Sequence, residues 1–268
     1  MDSLVLDKVV SSVLSSKKYR YLYEPTIRRT VEELATRYPE KKLDNETRKR
    51  LHQLWGAYIK RPNFMKVLEQ VEADITSGAE AKDVLLPLLR LQTSTEERIP
   101  VVNEIYLKIA ESIDAKIESI VEYGAGMNAL TYPWMQEAFG QSVKYTGVDV
   151  DSELADFQNR IFMKLGLEER AKAIQGDILC DELLEADVVF LFKLLPLLEH
   201  QVKGSGGEIL KQLKAKYIVV TFPTKSIGGK EKGMVDNYRT LISAVTSGEE
   251  WAVEEVLMES EVLFVISK

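Results

Sequence analysis

Residues Ile117–Tyr132 read Ile-Glu-Ser-Ile-Val-Glu-Tyr-Gly-Ala-Gly-Met-Asn-Ala-Leu-Thr-Tyr. The short apolar run from Ile117 to Tyr123 predicts a buried strand, and it leads directly into Gly124-Ala125-Gly126. Asn128 stands where a helix can start, with Ala129, Leu130 and Met135 behind it. Strand, glycine turn and helix open a nucleotide-binding α/β unit, because glycine lets the backbone turn tightly and approach a ligand closely. A third glycine two positions on is missing, so this is not the full dinucleotide fingerprint, and a purely structural turn stays open on this stretch alone. A second strand, Val143 to Asp149, ends in an acid 23 residues past Gly126. That is near the spacing of roughly 20 at which a carboxylate meets a ribose.

Outward from this point, strand and helix signals alternate. A helix through Leu154, Phe157, Ile161, Phe162 and Leu165 closes at Gly166. Ala171 to Gln175 is a third strand, followed by Gly176-Asp177-Ile178; Asp187 to Phe192 is a fourth; Tyr217 to Phe222 is a fifth. Such alternation predicts an α/β fold with parallel strands and helices on both faces. Trp251 to Leu257 and Val262 to Ile266 close the chain without a full helix between them, which predicts an antiparallel hairpin at one edge.

Before residue 93 the pattern is helical. Leu4, Val5, Val9, Val10, Val13 and Leu14 recur at helical spacing; Ile27, Val31, Leu34 and Tyr38 mark a second helix ended by Pro39. Asp44-Asn45 can cap a third helix through Leu51, Leu54, Trp55, Tyr58 and Ile59, and Phe64, Val67, Leu68, Val71 and Ile75 make a fourth, stopped by Gly78. The division expected is 1–92 as a helical domain and 93–268 as the α/β domain.

The 268 residues carry a net charge of −7, mildly against a nucleic-acid partner, but the charge is uneven. Residues 1–75 balance at +4 and 76–268 at −11. Lys17, Lys18, Arg20, Arg28, Arg29, Arg48, Lys49, Arg50, Lys60 and Arg61 interleave with Tyr19, Tyr21, Tyr23, Trp55 and Tyr58. Interleaved bases and aromatics suit an RNA surface; equally, the aromatics can be core and the bases its wet rim. No apolar run is long enough to span a bilayer, and Met1 to Lys18 does not read as a secretory signal. One cysteine, Cys180, makes no internal disulfide, and with only His52 and His200 beside it no zinc cluster is expected. A soluble cytoplasmic protein is expected.

Thr93-Ser94-Thr95-Glu96-Glu97-Arg98-Ile99-Pro100 can start a helix with a capping box on Ser94 or Thr95; Arg98 offers a planar fork suited to a carboxylate. Ligands of open α/β sheets lie beyond the carboxyl ends of the strands. Gly124-Ala125-Gly126, Asp149 and Asp177 stand there, and two acids at successive strand ends fit an adenosine cofactor.

Strand, glycine turn, acid, acid and a terminal hairpin resemble S-adenosylmethionine-dependent methyltransferases with a Rossmann-like sheet. Four segments narrow the resemblance: Thr93 to Pro100, Glu122 to Leu130, Lys193-Leu194-Leu195-Pro196-Leu197-Leu198-Glu199, and Thr221-Phe222-Pro223-Thr224-Lys225-Ser226-Ile227-Gly228-Gly229-Lys230-Glu231-Lys232-Gly233-Met234. In this order and spacing they resemble the aminoglycoside-resistance 16S ribosomal RNA (guanine-N7) methyltransferases, clearly over about 90–268 and by architecture alone before that. The resemblance implies S-adenosyl-L-methionine as cofactor and 16S rRNA in the 30S ribosomal subunit as partner, with the protein acting as a monomer. It gives Arg98 the cofactor carboxylate, Gly124 and Gly126 the methionine end, Asp149 the ribose, Asp177 and Ile178 the adenine, and Gln201 the closure of the pocket. Lys225, Lys230, Lys232 and Met234 would meet the RNA or the target base, and Arg28, Arg29, Arg48, Lys49 and Arg50 are the candidates for docking on folded RNA. The family usually has His where Gln92 stands, Cys at Ala125, Pro at Ala129, and commonly Arg at Lys225 and Lys230; these departures bear on the exact nucleotide and on a resistance role.

No catalytic residue is expected. Guanine N7 carries a free lone pair, so methyl transfer from a sulfonium removes no proton, and positioning and exclusion of water can carry the rate. Cys180 lacks the setting of a nucleophile. Two rivals remain: a small-molecule methyltransferase with the helical domain as a lid, and a cofactor-binding protein without transfer activity.

Overall fold

The computed structural model describes residues 1–56, 62–224 and 234–268. Its helices are α1 Ser3–Leu14, α2 Glu24–Ala35, α3 Glu40–Leu51, α4 Phe64–Thr76, α5 Ala81–Leu85, α6 Thr93–Glu96, α7 Val102–Glu111, α8 Tyr132–Phe139, α9 Ser152–Lys164, α10 Leu195–Gln201, α11 Ser205–Gln212 and α12 Met234–Val245. The strands are β1 Ser119–Tyr123, β2 Lys144–Asp149, β3 Ala171–Gln175, β4 Val188–Phe192, β5 Tyr217–Pro223, β6 Ala252–Leu257 and β7 Glu261–Ser267. They form one sheet in the order β3-β2-β1-β4-β5-β7-β6. The first five run parallel, and β7 lies antiparallel between β5 and β6.

The register explains where a site can form. Tyr123 pairs with Val148, Asp149 with Gln175, and Phe192 with Thr221. Their carboxyl ends therefore emerge along one edge, on either side of the point where strand order reverses between β1 and β4. β4 and β5 are buried on both faces, as continuous apolar runs such as Val188-Val189-Phe190-Leu191-Phe192 require. β6 is the exposed edge and carries Glu254 and Glu255, charges that discourage a further strand from adding there.

Three apolar clusters hold the molecule. One sheet face packs Tyr106, Tyr132, Phe162 and Phe190; the other packs Leu191, Leu195, Phe222 and Phe264. The third, of Val9, Val10, Val13, Ile27, Val31, Leu34, Leu43 and Leu51, belongs to α1, α2 and α3. Leu68, Val71, Val84, Leu85, Leu88 and Leu89 join the first sheet face instead. The cores thus divide before residue 64, earlier than the division at 92 read from secondary-structure pattern, because α4, α5 and the following 3₁₀ turn Leu86–Leu91 bury their apolar sides on the sheet.

Two helix starts also differ from expectation. α3 begins at Glu40 behind Pro39, and Asp44 lies inside it, paired with Arg48 one turn on. The chain then passes through a π-helical turn, His52–Gly56. After the glycine turn, Gly126–Thr131 is 3₁₀ and α8 starts at Tyr132 with Pro133 in its first turn, so Asn128 caps nothing.

The front end is seated on the strand ends. Leu22 makes an antiparallel bridge to Asp151, Tyr23 N–H donates to Val150 O at 2.8 Å, and Ser152 N–H donates to Tyr21 O at 3.0 Å. The Gln175 amide donates to Tyr21 O and Val150 O, and Val150 itself packs against the front-end core.

Candidate functional site

Gly124 and Gly126 have φ of 65° and 49°, in the left-handed region that favours glycine. A Cβ on Gly124 would stand 2.9 Å from Leu194 Cδ1, and one on Gly126 would run into the Gln92 amide. The turn is held from three sides. Gln92 accepts the Met127 N–H, the buried Gln158 amide donates to Gly126 O, and Asp149 Oδ2 accepts the Gly126 N–H at 2.9 Å. Asp149 Oδ1 accepts from Asp151 N–H at 3.2 Å. Burial pushes the Asp149 carboxyl up to about 6, and the charge of Asp151 adds to this, while the N–H donors oppose it.

Beneath the turn lies a buried polar network. Glu122 accepts from the Asn128 amide at 2.9 and 3.0 Å and from Tyr145 Oη–H at 2.6 Å; burial pushes its carboxyl up to about 7. Arg98 Nη1 donates to Asn128 Oδ1 at 2.5 Å. Its Nε and Nη2 donate to the two Glu261 oxygens at 2.9 and 3.1 Å, and the guanidinium centre sits 4.7 Å from the Phe192 ring centroid. Arg98 is 2% exposed and Glu261 0%, so the fork expected to grip a cofactor carboxylate is filled by a carboxylate of the protein. Lys193, a non-glycine residue with φ of 56°, brings its ammonium 2.8 Å from Glu97 and 3.4 Å from Glu261. Thr95 does not cap α6 with its side chain; its hydroxyl donates to Leu89 O and Gln92 O.

The second acid is engaged differently. Asp177 Oδ2 accepts from Thr26 Oγ1–H at 2.7 Å and Arg29 Nη2 at 3.1 Å, and the Cys180 thiol lies 3.5 Å away. Asp177 Oδ1 accepts from Leu179 N–H at 2.9 Å. Arg29 Nη2 also donates to Gln201 Oε1 at 2.8 Å. Ile178 is buried in the second sheet face. Cys180 is exposed as a residue, yet partial desolvation of its thiol, together with the charge of Asp177, pushes it up to about 11, which suits a structural cysteine.

The front-end bases divide. Arg29 faces inward, onto Asp177 and Gln201. Arg48 ties α3 to α1 through Ser12 O, and Arg50 reaches the His200 carbonyl on α10. Arg28 pairs with Asp7 and Glu24 at the surface, and Lys49 pairs with Glu46 while staying exposed. α2 and α3 are amphipathic, so Arg29 and Arg50 reach across to the sheet domain while Arg28 and Arg48 stay within the front end. Met234 opens α12, half-buried. Lys225, Lys230 and Lys232 lie outside the described residues, as do Tyr58, Lys60 and Arg61. Between α2, α3 and α10 lies an open cleft of about 410 Å³ lined by residues that include Arg37, Lys49, Arg50, Glu199, His200 and Lys203.

Glu122, Glu261, Thr26 and Gln158 were missed as site residues. Glu122 did leave a signal, since a carboxylate inside a buried strand must be paired or protonated. Thr26 left none, because an uncharged residue on a helix says nothing about a partner 151 positions away.

A sheet in this strand order, with β7 antiparallel, a glycine turn after β1 and an acid after β2, is that of the Rossmann-like S-adenosylmethionine-dependent methyltransferases. The chain belongs to the ribosomal RNA methyltransferase (FmrO) family, whose model matches residues 15–266. It is 35% identical over 275 residues to a 16S rRNA (guanine(1405)-N(7))-methyltransferase of Proteus mirabilis, with 98% of this chain and 97% of that one covered. A protein of the same description from Serratia marcescens is 31% identical over 265 residues, 98% of each chain covered. The structure of the 16S rRNA methyltransferase RmtF in complex with S-adenosyl-L-homocysteine superposes with a TM-score of 0.83 at 27% identity, covering 100% of this chain and 99% of that one. The expected fold, enzyme class and methyl donor hold, and the substrate class is ribosomal RNA. Among the described residues no helix is long and apolar enough to cross a membrane.

The residues present fit the donor at the turn. Two left-handed glycines bare the backbone at the carboxyl end of β1, and the Asp149 carboxylate at the end of β2 stands directly beside them.

Proposed function

We propose that this protein transfers a methyl group to N7 of a guanine in 16S rRNA, the counterpart of the nucleotide named for the Proteus mirabilis relative, within the assembled 30S subunit. The observation that carries this reading is the glycine turn locked to Asp149, in a chain matched along nearly its whole length by rRNA guanine-N7 methyltransferases. The bound cofactor supplies a methyl group activated on a sulfonium. Gly124 and Gly126 line its methionine end, ionised Asp149 accepts the ribose hydroxyls, and Asp177, Ile178 and Gln201 form the adenine end. Arg98 works one step back, holding Asn128 and through it the turn. N7 has no proton to lose, so these residues orient and exclude water without a general base. Lys225, Lys230 and Lys232, between β5 and α12, and Met234 at the start of α12 take the RNA side. The protein acts as a monomer in the cytoplasm, and modification at this nucleotide confers aminoglycoside resistance.

The test is methyl transfer from labelled cofactor to isolated 30S subunits, followed by mapping of the base. One labelled guanine is expected, at which reduction followed by aniline breaks the RNA chain. No label in 30S subunits returns the small-molecule reading to first place. Lys225→Glu is expected to abolish transfer while cofactor affinity stays nearly unchanged; full transfer by that variant removes the loop's RNA role.

A further inference from the structure

The described cofactor side of the molecule contains one contribution from outside the sheet domain. Tyr23, Thr26 and Arg29, all of the front end, converge on the segment after β3. Tyr23 Oη–H donates to Asp181 at 2.7 Å, and Thr26 and Arg29 donate to Asp177. Asp177 is 7% exposed and Thr26 6%. The two oxygens of Asp177 are treated unequally. Oδ2 is filled by Thr26 and Arg29, with the Cys180 thiol beside it, while Oδ1 accepts only the Leu179 N–H among the described residues. A carboxylate oxygen has two lone-pair directions, so Oδ1 keeps one for a further donor. Thr26 and Arg29 therefore fix the rotation of the carboxylate and aim its remaining acceptor.

Arg29 does a second thing. The same Nη2 donates to Gln201 on α10, so one guanidinium braces the segment after β3 to the helix after β4. Among the described residues its Nε is buried without a hydrogen-bond partner. A buried unpaired donor is costly, so stability alone does not account for this placement; such groups in native proteins call for another explanation.

We propose that Thr26 and Arg29 of α2 are positioning residues of the cofactor site: they orient Asp177 to read the 6-amino group of the adenine and hold Gln201 across it. The inference rests on the cofactor placement proposed above. It makes the seating of the front end and the affinity for the adenosine group parts of one equilibrium, since a helical domain moved off the strand ends would release Asp177 to rotate.

The test compares binding of S-adenosyl-L-homocysteine with that of its analogue bearing hydrogen in place of the 6-amino group, by calorimetry. The wild type is expected to prefer the amino form by roughly tenfold, the worth of about one hydrogen bond to a charged group. Thr26→Val, which keeps the side-chain shape, and Arg29→Met are expected to shrink that preference to about twofold, and Thr26→Ser to retain it. A purely structural role would lower affinity for both ligands alike and leave the preference intact. An unchanged preference in Thr26→Val and Arg29→Met overturns the proposal, as does a wild type with no preference. Circular dichroism identifies a variant that fails to fold, and the shape-matched Thr26→Val then carries the comparison. Transfer to 30S by the wild type is measured in parallel. Binding with the expected preference but no transfer sinks the functional reading alone; transfer with no loss of preference in the variants sinks this inference alone.

Discussion

The two ends of the candidate site are built in opposite ways. At the glycine turn every part comes from residues 92–261: a turn, an acid one strand away and a sealed network of Arg98, Asn128, Glu122 and Glu261. At Asp177 the second carboxylate is held by residues of α2, a helix with a separate apolar core. The first end is rigid by packing; the second is set by how two cores meet. On the proposed placement of the cofactor, the turn stays constant while the adenine end is tuned from the front end.

The largest effect expected within this contrast is on stability. Arg98→Met leaves Glu261 buried with, among the described residues, Lys193 as its one nearby cation, at 3.4 Å, and is expected to cost about 3–5 kcal/mol in urea unfolding. Arg98→Met with Glu261→Leu is expected to recover much of it. A loss near that of an exposed pair would show that the turn does not depend on this buried pairing, and the contrast would fail.

Asp149→Ala comes next. It removes a charge-assisted acceptor at the turn and is expected to weaken cofactor binding by about 1.5–3 kcal/mol, or ten- to a hundredfold, by calorimetry. Unchanged affinity in both Asp149→Ala and Asp177→Ala would remove the pocket assignment from both ends.

The pH response sharpens the same point. Asp149 is raised to about 6, and the proposed ribose contact needs its ionised form. Affinity is expected to hold above pH 6, to fall as pH drops through about 6, and to lose that dependence in Asp149→Ala. Stability runs the other way. Folded Asp149 binds its proton more tightly than the unfolded carboxyl, so its contribution is present below the ordinary carboxylate range and is lost as pH rises through about 6. Glu122 behaves likewise up to about pH 7. Titrating affinity and unfolding in parallel separates the two signs.

The smallest effect lies on the outer face. Lys49 is exposed and, among the described residues, held by Glu46 alone, so Lys49→Ala is expected to lower the salt slope of 30S binding by about one unit and leave unfolding nearly untouched. Arg48→Ala, which cuts the tie to Ser12, is expected to show the reverse, a loss of stability. Equal behaviour of the two would erase the distinction between a base that braces the front-end helices and one that faces solvent.

Sequence alone determined the strand–turn–helix opening, the alternation of strands and helices, the terminal hairpin and the acids at the strand ends. These are local: a buried strand needs an apolar run, and a left-handed turn favours glycine, whatever surrounds it. It also carried the signature of the family in four short segments. Tertiary structure alone decided that Arg98 spends its fork on Glu261, that Arg29 faces inward onto Asp177, and that α4 and α5 belong to the sheet core. Each of these is a pairing between residues far apart in the chain. A charge on a helix reads the same from sequence whether it meets water, phosphate or a buried carboxylate, and only the packing of one core against another makes that choice.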